Sequence, residues 1–77
     1  MKSLNKWQKA ALREALFTTP VPIVGSVKNP HEHFIAEVVS RTLVALRYRD
    51  TKAHDLAREF TGSPEKRLVK IFNRPDR

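Results

Sequence analysis

Lysines and arginines recur at helical spacing in two parts of the chain, and they are the side chains best able to bind a ligand. One group would share about 100° of a helix surface late in the chain: Lys66, Arg67, Lys70 and Arg74. A second group would share about 60° of a helix surface early in the chain: Lys2, Lys6, Lys9 and Arg13. Such side chains attract phosphates, and those near a helix start can also reach the edges of bases. The two stripes therefore predict a polyanionic or acidic partner.

The histidines and acidic residues are not spaced as a metal site or an active site requires. His31 and His33 are two residues apart, so on a helix they point in different directions, unlike the i, i+4 pair of a zinc site. The sequence contains no cysteine and no glycine-rich phosphate loop, and its acidic residues are scattered. We therefore expect no metal, no cofactor and no enzymatic activity.

Size and charge narrow the class of protein. The 77 residues suffice for a single domain, 1–77, near the lower limit for folding without disulfides or metal. The 15 basic and 8 acidic residues give a net charge of +7, which favours a polyanionic or acidic partner but also keeps a small protein soluble. No apolar run reaches the roughly 20 residues of a membrane span, so we expect a cytoplasmic protein.

The stretch 29–49 predicts the central helix of an all-α fold. Its apolar residues cover most of a helical circumference, which is typical of a helix enclosed by others: Phe34, Ile35, Val38, Val39, Leu43, Val44 and Leu46. Asn29 suits the N-cap, Pro30 the first helical position, and Glu32 the third, where its side chain can reach back to the cap.

The first helix would be capped by Ser3 and run from Leu4 to about Phe17. Its apolar face would comprise Leu4, Trp7, Ala11 and Ala15, joined more loosely by Leu12 and Leu16. A proline-containing loop, 18–29, would follow, with part of it lying over the core as a short extended piece: Ile23, Val24 and Val27. This connection is long for so small a domain, which suggests a functional loop or a wrap around the core.

Two further helices would complete a small bundle of about four helices. The third would start at Asp50 or Thr51, where the central helix frays (48–50), and would run to Phe60 with three residues inward: Leu56, Ala57 and Phe60. The last would be capped by Ser63, begin with Pro64 at its first position, run to about Asn73 and precede a basic tail, 74–77.

The last two helices resemble a helix-turn-helix unit over about 25 residues. Gly62 would take the place of the turn glycine and terminate the first of them, while Leu68 and Ile71 would take the apolar positions of the second helix. Arg58 then falls where the motif has a small alanine, and Ala57 lies one position early, so the segment is either a helix-turn-helix with a one-residue misfit or two unrelated helices. The resemblance implies that the last helix enters the major groove of DNA.

These patterns predict a small basic DNA-binding protein, of the kind that serves phages or plasmids as a regulator. A monomer of this size contacts few base pairs, so we expect a homodimer that reads two half-sites. The residues expected to contact duplex DNA lie in the last and first helices: Ser63, Lys66, Arg67, Lys70 and Arg74, with Lys6, Lys9 and Arg13. Glu65 could accept a hydrogen bond from cytosine.

A protein-binding module is the alternative interpretation. It would dock on an acidic partner protein, as a phage-type accessory factor does, through apolar loop residues with a basic rim: Val21, Ile23, Val24 and Val27. Single-stranded nucleic acid is less favoured, because most aromatic residues would lie on apolar faces and only Tyr48 would be free to stack on bases. Those on apolar faces are Trp7, Phe34, Phe60 and Phe72.

Overall fold

The protein is all-α in a computed structural model that describes residues 3–48 and 52–74. Four helices follow one another along the chain: α1 (Lys6–Thr18), α2 (Pro30–Ala45), α3 (Ala53–Glu59) and α4 (Pro64–Phe72). The described residues contain no β-strand, so the predicted small helical bundle is confirmed. Within the same ranges, no helix has both the length and the apolar character needed to cross a bilayer.

Helix α2 packs against all three other helices, as the sequence predicts for the central element. Its buried side chains are Ile35, Ala36, Val38, Val39, Ser40, Thr42 and Leu43. The Thr42 hydroxyl is satisfied inside the core because it donates to the Val38 carbonyl oxygen at 2.8 Å. The rest of the core comes from the other helices and the segment before α1: Leu4, Leu12, Ala15, Ala53, Leu56, Ala57, Leu68 and Ile71.

Local capping signals locate the starts of α2 and α4 correctly. The Asn29 side chain accepts from the Glu32 N–H at 3.1 Å, and the Ser63 hydroxyl accepts from the Lys66 N–H at 3.3 Å. Each helix also has a proline in its first turn, where a backbone donor is not needed. The predicted return contact from the Glu32 carboxylate to its cap is wrong, because that carboxylate binds the Arg67 guanidinium instead.

The cap of α1 differs from the prediction. Asn5 rather than Ser3 is the N-cap: its side-chain oxygen accepts from the Gln8 N–H at 2.7 Å, and its own N–H donates to Gln8 Oε1 at 2.9 Å. This reciprocal capping box fixes the helix start at Lys6. Leu4 is therefore not helical, yet it is buried in the core.

Helix α1 also turns a different face to the core. Its buried stripe is centred between Leu12 and Ala15. At the helical rotation per residue, Trp7 lies roughly 110° from that centre, and it is 75% exposed. The prediction that Trp7 packs inward is wrong, and Leu16, expected at the edge of the apolar face, is likewise exposed.

A left-handed residue ends α2 earlier than predicted. Arg47 has φ of +60°, and its N–H donates to the Val44 carbonyl oxygen at 3.0 Å. The following N–H, of Tyr48, donates to the Leu43 carbonyl oxygen at 2.9 Å. This is a Schellman arrangement with arginine at the position that glycine usually takes. The helix therefore ends at Ala45, short of the predicted 48–50.

Helices α3 and α4 are joined by the four residues 60–63. The predicted start of the third helix at 50 or 51 lies outside the described residues, and the predicted basic tail is described only at Arg74. Ala57 and Leu56 are buried as predicted, and Phe60 is partly buried against the core. Gly62 has φ of +106°, which a side chain would strain, but it lies within the turn and not at the end of α3.

The segment between α1 and α2 forms a turn at the surface instead of covering the core. The Ser26 N–H donates to the Ile23 carbonyl oxygen at 2.9 Å, and Gly25 has φ of +86°, as a type II turn requires at its third position. The side chains of Ile23 and Val24 are exposed, so the prediction that they lie over the core is wrong. Val27 is half-buried.

Candidate nucleic-acid interface

Two lysines of α4 project into solvent, as the sequence predicts. Lys66 and Lys70 are exposed one helical turn apart, and Glu65 is exposed beside them in the first turn. Ser63 precedes them, with its hydroxyl engaged as the N-cap. Positive side chains on the first turns of a helix are well placed to reach phosphates or base edges in a groove.

Arg67 does not belong to this exposed face. It is 1% exposed, and its guanidinium makes a bidentate ion pair with Glu32: one nitrogen lies 2.9 Å from Oε2 and the other 2.6 Å from Oε1. Two backbone carbonyl oxygens, of Gly62 at 3.0 Å and Ala57 at 3.1 Å, accept its remaining hydrogen bonds. The prediction that Arg67 lies on the solvent side of α4 is therefore wrong, and its role is structural.

The position of Arg67 within α4 explains its burial. Ile71, one turn later, is fully buried and lies about 40° away around the helix. Arg67 thus borders the apolar face, and the partner that draws it inward, Glu32, belongs to a different helix. The Arg67 guanidinium, by its hydrogen bonds above all, holds the pKa of the Glu32 carboxyl below its ordinary value.

Arg74 remains partly exposed but is not a free cation. Its guanidinium lies 2.5 Å from Glu59 Oε1, which joins the end of α4 to the end of α3. An ion pair exposed to solvent contributes little to stability, and a phosphate can compete for the same guanidinium. Arg74 is therefore a weaker candidate for contact with DNA than Lys66 or Lys70.

The basic residues of α1 are exposed. Lys6, Lys9 and Arg13 all face solvent, and none of them forms an ion pair with another residue in 3–48 or 52–74. Around α1 they lie roughly 80° to 140° from Glu14, the one acidic residue of that helix. Lys2 belongs to the same predicted stripe but lies outside the described residues.

The two basic stripes adjoin each other at Glu65. One shallow groove between α1 and α4 is lined by Lys9, Leu12, Arg13, Leu16 and Glu65. A neighbouring groove is lined by Ser3, Ser63, Glu65, Lys66, Val69 and Lys70. Since Glu65 lines both, cations from the first and last helices border one continuous surface. We call Lys9, Arg13, Lys66 and Lys70 the basic surface.

The aromatic residues are arranged differently from the prediction. Tyr48 is partly buried: its hydroxyl donates to the Ile71 carbonyl oxygen at 3.3 Å, and its ring meets that of Phe72 edge-on with 5.2 Å between centroids. The prediction that Tyr48 is the aromatic residue free to stack on bases is wrong. Trp7 and Phe17 are the exposed aromatic side chains instead.

A second surface gathers apolar side chains that the fold leaves in solvent. These side chains are Leu16, Phe17, Val21, Ile23 and Val24, and we call them the apolar loop surface. Leu16 also lines the groove beside Lys9 and Arg13. The angular position of Phe17, roughly opposite the buried stripe of α1, could have revealed its exposure from the sequence. The exposure of the loop valines and Ile23 carries no comparable periodic signal.

Comparisons with protein families, with characterised proteins and with solved structures found no significant match for this chain.

Proposed function

We propose that the protein binds duplex DNA through the basic surface. The main observation behind this proposal is that one groove is lined by Lys9 and Arg13 of α1 and by Glu65 of α4. Glu65 also lines the neighbouring groove, together with Lys66 and Lys70. Cations from two helices that border one surface can contact successive phosphates, whereas cations on opposite faces cannot. Among the described acids only Glu65 lies between them, so a positive field extends over both helices.

The pairing of α3 and α4 supports a helix-turn-helix mode of binding. Ala57, Leu68 and Ile71 are fully buried, so the two helices present their other sides to solvent. The outward side of α4 begins with Glu65 and Lys66, in the first turn that base-reading helices insert into the major groove. A regulator of the phage or plasmid type is the biological role we propose for such a unit.

The test is a titration of a fluorescent mixed-sequence duplex at increasing salt, with heparin as competitor. The double variant Lys66→Ala, Lys70→Ala should bind more weakly and lower the slope of log affinity against log salt by about 2. The matched control is Lys28→Ala, Arg41→Ala, which removes the same charge from exposed positions outside the basic surface. Absence of binding at low salt, or equal losses in both double variants, would contradict the proposal.

A protein-binding module is the second candidate, and the exposure of the apolar loop surface favours it. The predicted partner is an acidic protein held by loop residues with a basic rim. Ile23 and Val24 are exposed, so changing both to serine tests this contact without disturbing the core. Loss of partner capture with unchanged DNA binding would support this second function.

A further inference from the structure

The outward side of α4 contains an apolar side chain, Val69, among its charged residues. Around the helix, the exposed residues Glu65 and Lys70 stand about 140° apart, and Val69 lies within that arc, about 40° from Glu65. Val69 is half-buried: part of its side chain packs against the core, and the rest lines a groove. The residues that line this groove with it are polar or charged: Ser3, Ser63, Glu65, Lys66 and Lys70.

The neighbours of Val69 on the helix limit the size of this apolar area. Residues three and four apart are adjacent on a helix surface, so Lys66 and Glu65 adjoin Val69 one turn earlier. Asn73, one turn later, is also exposed, but its side-chain amide donates to the Val69 carbonyl oxygen at 2.7 Å, where it caps the end of the helix. The apolar area beside Lys66 is therefore no larger than the end of one valine side chain.

A small apolar area beside a cation matches one particular group of a DNA base. In the major groove, thymine presents its C5-methyl group next to the O4 acceptor, whereas adenine, guanine and cytosine carry no methyl group there. Val69 can contact this methyl group while the Lys66 ammonium donates to O4 or to a nearby phosphate. We propose that Val69 contacts the C5-methyl group of thymine and makes binding by α4 selective for thymine at that position of a duplex.

This inference rests on the proposed binding of duplex DNA through the basic surface. It adds a source of sequence selectivity, which contacts between lysines and phosphates do not provide. A protein partner is a poorer match for this part of α4, because the core of a protein interface is depleted of charged residues, and here Glu65, Lys66 and Lys70 line the same groove as Val69.

Replacing thymine by deoxyuridine tests the contact without altering the protein. A high-affinity duplex is first selected from a random library with the wild-type chain. Each of its thymines is then replaced in turn by deoxyuridine, which lacks only the methyl group. At the contacted thymine, this replacement should lower the affinity about fourfold, the equivalent of one buried methyl group. The slope of log affinity against log salt should stay the same, because no contact with a phosphate is lost.

Val69→Ala tests the same contact from the side of the protein. This variant should bind the selected duplex more weakly than the wild type, and it should bind the thymine and deoxyuridine duplexes with nearly equal affinity, since the two partners of one contact are coupled. Val44→Ala is the matched control: it removes the same atoms from an exposed position of α2 outside the basic surface, and it should keep the wild-type preference. Circular dichroism should show the same helix content for all three proteins.

The outcomes separate this inference from the proposed function. The inference is overturned if the selection enriches no sequence, if no deoxyuridine duplex binds more weakly than the thymine duplex, or if Val69→Ala keeps the wild-type preference. In each of these cases, salt-dependent binding of a mixed-sequence duplex would leave the proposed function intact. Absence of duplex binding by the wild-type chain at low salt would overturn both. Because the deoxyuridine comparison uses the natural chain, the test does not depend on the folding of a variant.

Discussion

Arg67 and Glu32 are 35 positions apart in the chain and form an ion pair whose two halves have unequal environments. The Arg67 side chain is almost completely buried, whereas 45% of the Glu32 side chain is exposed. The charge that needs compensation is therefore the guanidinium. Its hydrogen bonds to Ala57 and Gly62 supply the rest of that compensation.

Removing Glu32 should destabilise the fold more than removing any other acidic side chain. Glu32→Ala leaves a buried guanidinium without its counter-ion, and we expect a loss of about 3 kcal/mol in the free energy of unfolding, measured by urea titration. Adding Arg67→Met to that variant should restore part of the loss, because the uncompensated charge is gone. Glu37→Ala is the control: its one described partner, His54 at 3.6 Å, has a side chain that is 65% exposed, so removing Glu37 leaves no buried charge behind and the loss should be small. A Glu32→Ala protein as stable as Glu37→Ala would contradict this account.

Stability should depend on pH through Glu32. Hydrogen bonds from Arg67 lower the pKa of this carboxyl in the folded state below its usual 4.5. A lowered pKa stabilises the fold at pH values above 4.5, and that contribution is lost as the pH falls through the lowered value. The difference in unfolding free energy between wild type and Glu32→Gln should therefore be largest near neutral pH and shrink in acid. A difference that stayed constant from neutral pH to pH 3 would argue against an ionised Glu32.

The adjoining of the two basic stripes predicts that α1 contributes to DNA binding. Lys9→Ala, Arg13→Ala should lower the salt slope by about 2, as much as the double variant in α4. Its matched control is again Lys28→Ala, Arg41→Ala. An unchanged slope would mean that α1 does not contact the duplex.

The Glu65 carboxylate should lower the affinity for DNA of any sequence, because it lies between the cations of the basic surface and repels phosphates. Glu65→Gln keeps the shape of the side chain and removes its charge, so affinity for a mixed-sequence duplex should rise a few-fold. Glu14→Gln removes the same charge from an exposed site that lines a different groove, between α1 and α2. Equal gains in the two variants would show that net charge, and not the placement of Glu65, controls binding.

Trp7 should contribute little to stability despite being the sole tryptophan. It is mostly exposed, so Trp7→Ser should change the free energy of unfolding by no more than about 0.5 kcal/mol. Leu4→Ala should cost about 2 kcal/mol or more, because Leu4 is buried in the core. Acrylamide should quench the fluorescence of the folded protein nearly as well as that of the unfolded chain. Strong protection from quenching would show that Trp7 is covered.

Signals confined to a few neighbouring residues predicted the fold well. The starts of α2 and α4 follow from Asn29 and Ser63 with the prolines after them, since a cap is completed within one turn. The central place of α2 follows from its apolar residues, because such a helix must be enclosed. The exposure of Lys66 and Lys70 follows from their position opposite Leu68.

The predictions from the sequence were wrong where contacts between residues distant in the chain determine which side chains are buried. Periodicity placed Arg67 at the edge of a polar face, but a carboxylate on α2 drew it inside. The helical spacing of Trp7 is compatible with an apolar face, but the face of α1 that packs against the rest of the protein is the one with Leu12 and Ala15. Ile23 and Val24 are apolar residues in a loop, and nothing in their spacing shows whether the core has room for them. Likewise, only the packed structure shows that the two basic stripes adjoin.

The contacts of Arg67 also determine whether helix α3 can unfold separately from the rest of the protein. Helix α3 has seven residues, too few to persist alone in water, so fraying independent of the rest would be its ordinary behaviour. However, its last turn accepts a hydrogen bond from Arg67, which is tied at the same time to the first turn of α2. Detaching α3 would leave a buried charge short of an acceptor. We expect backbone amides late in α3 to exchange with deuterium at the rate of global unfolding, so that the shortest helix belongs to the slowest cooperative unit.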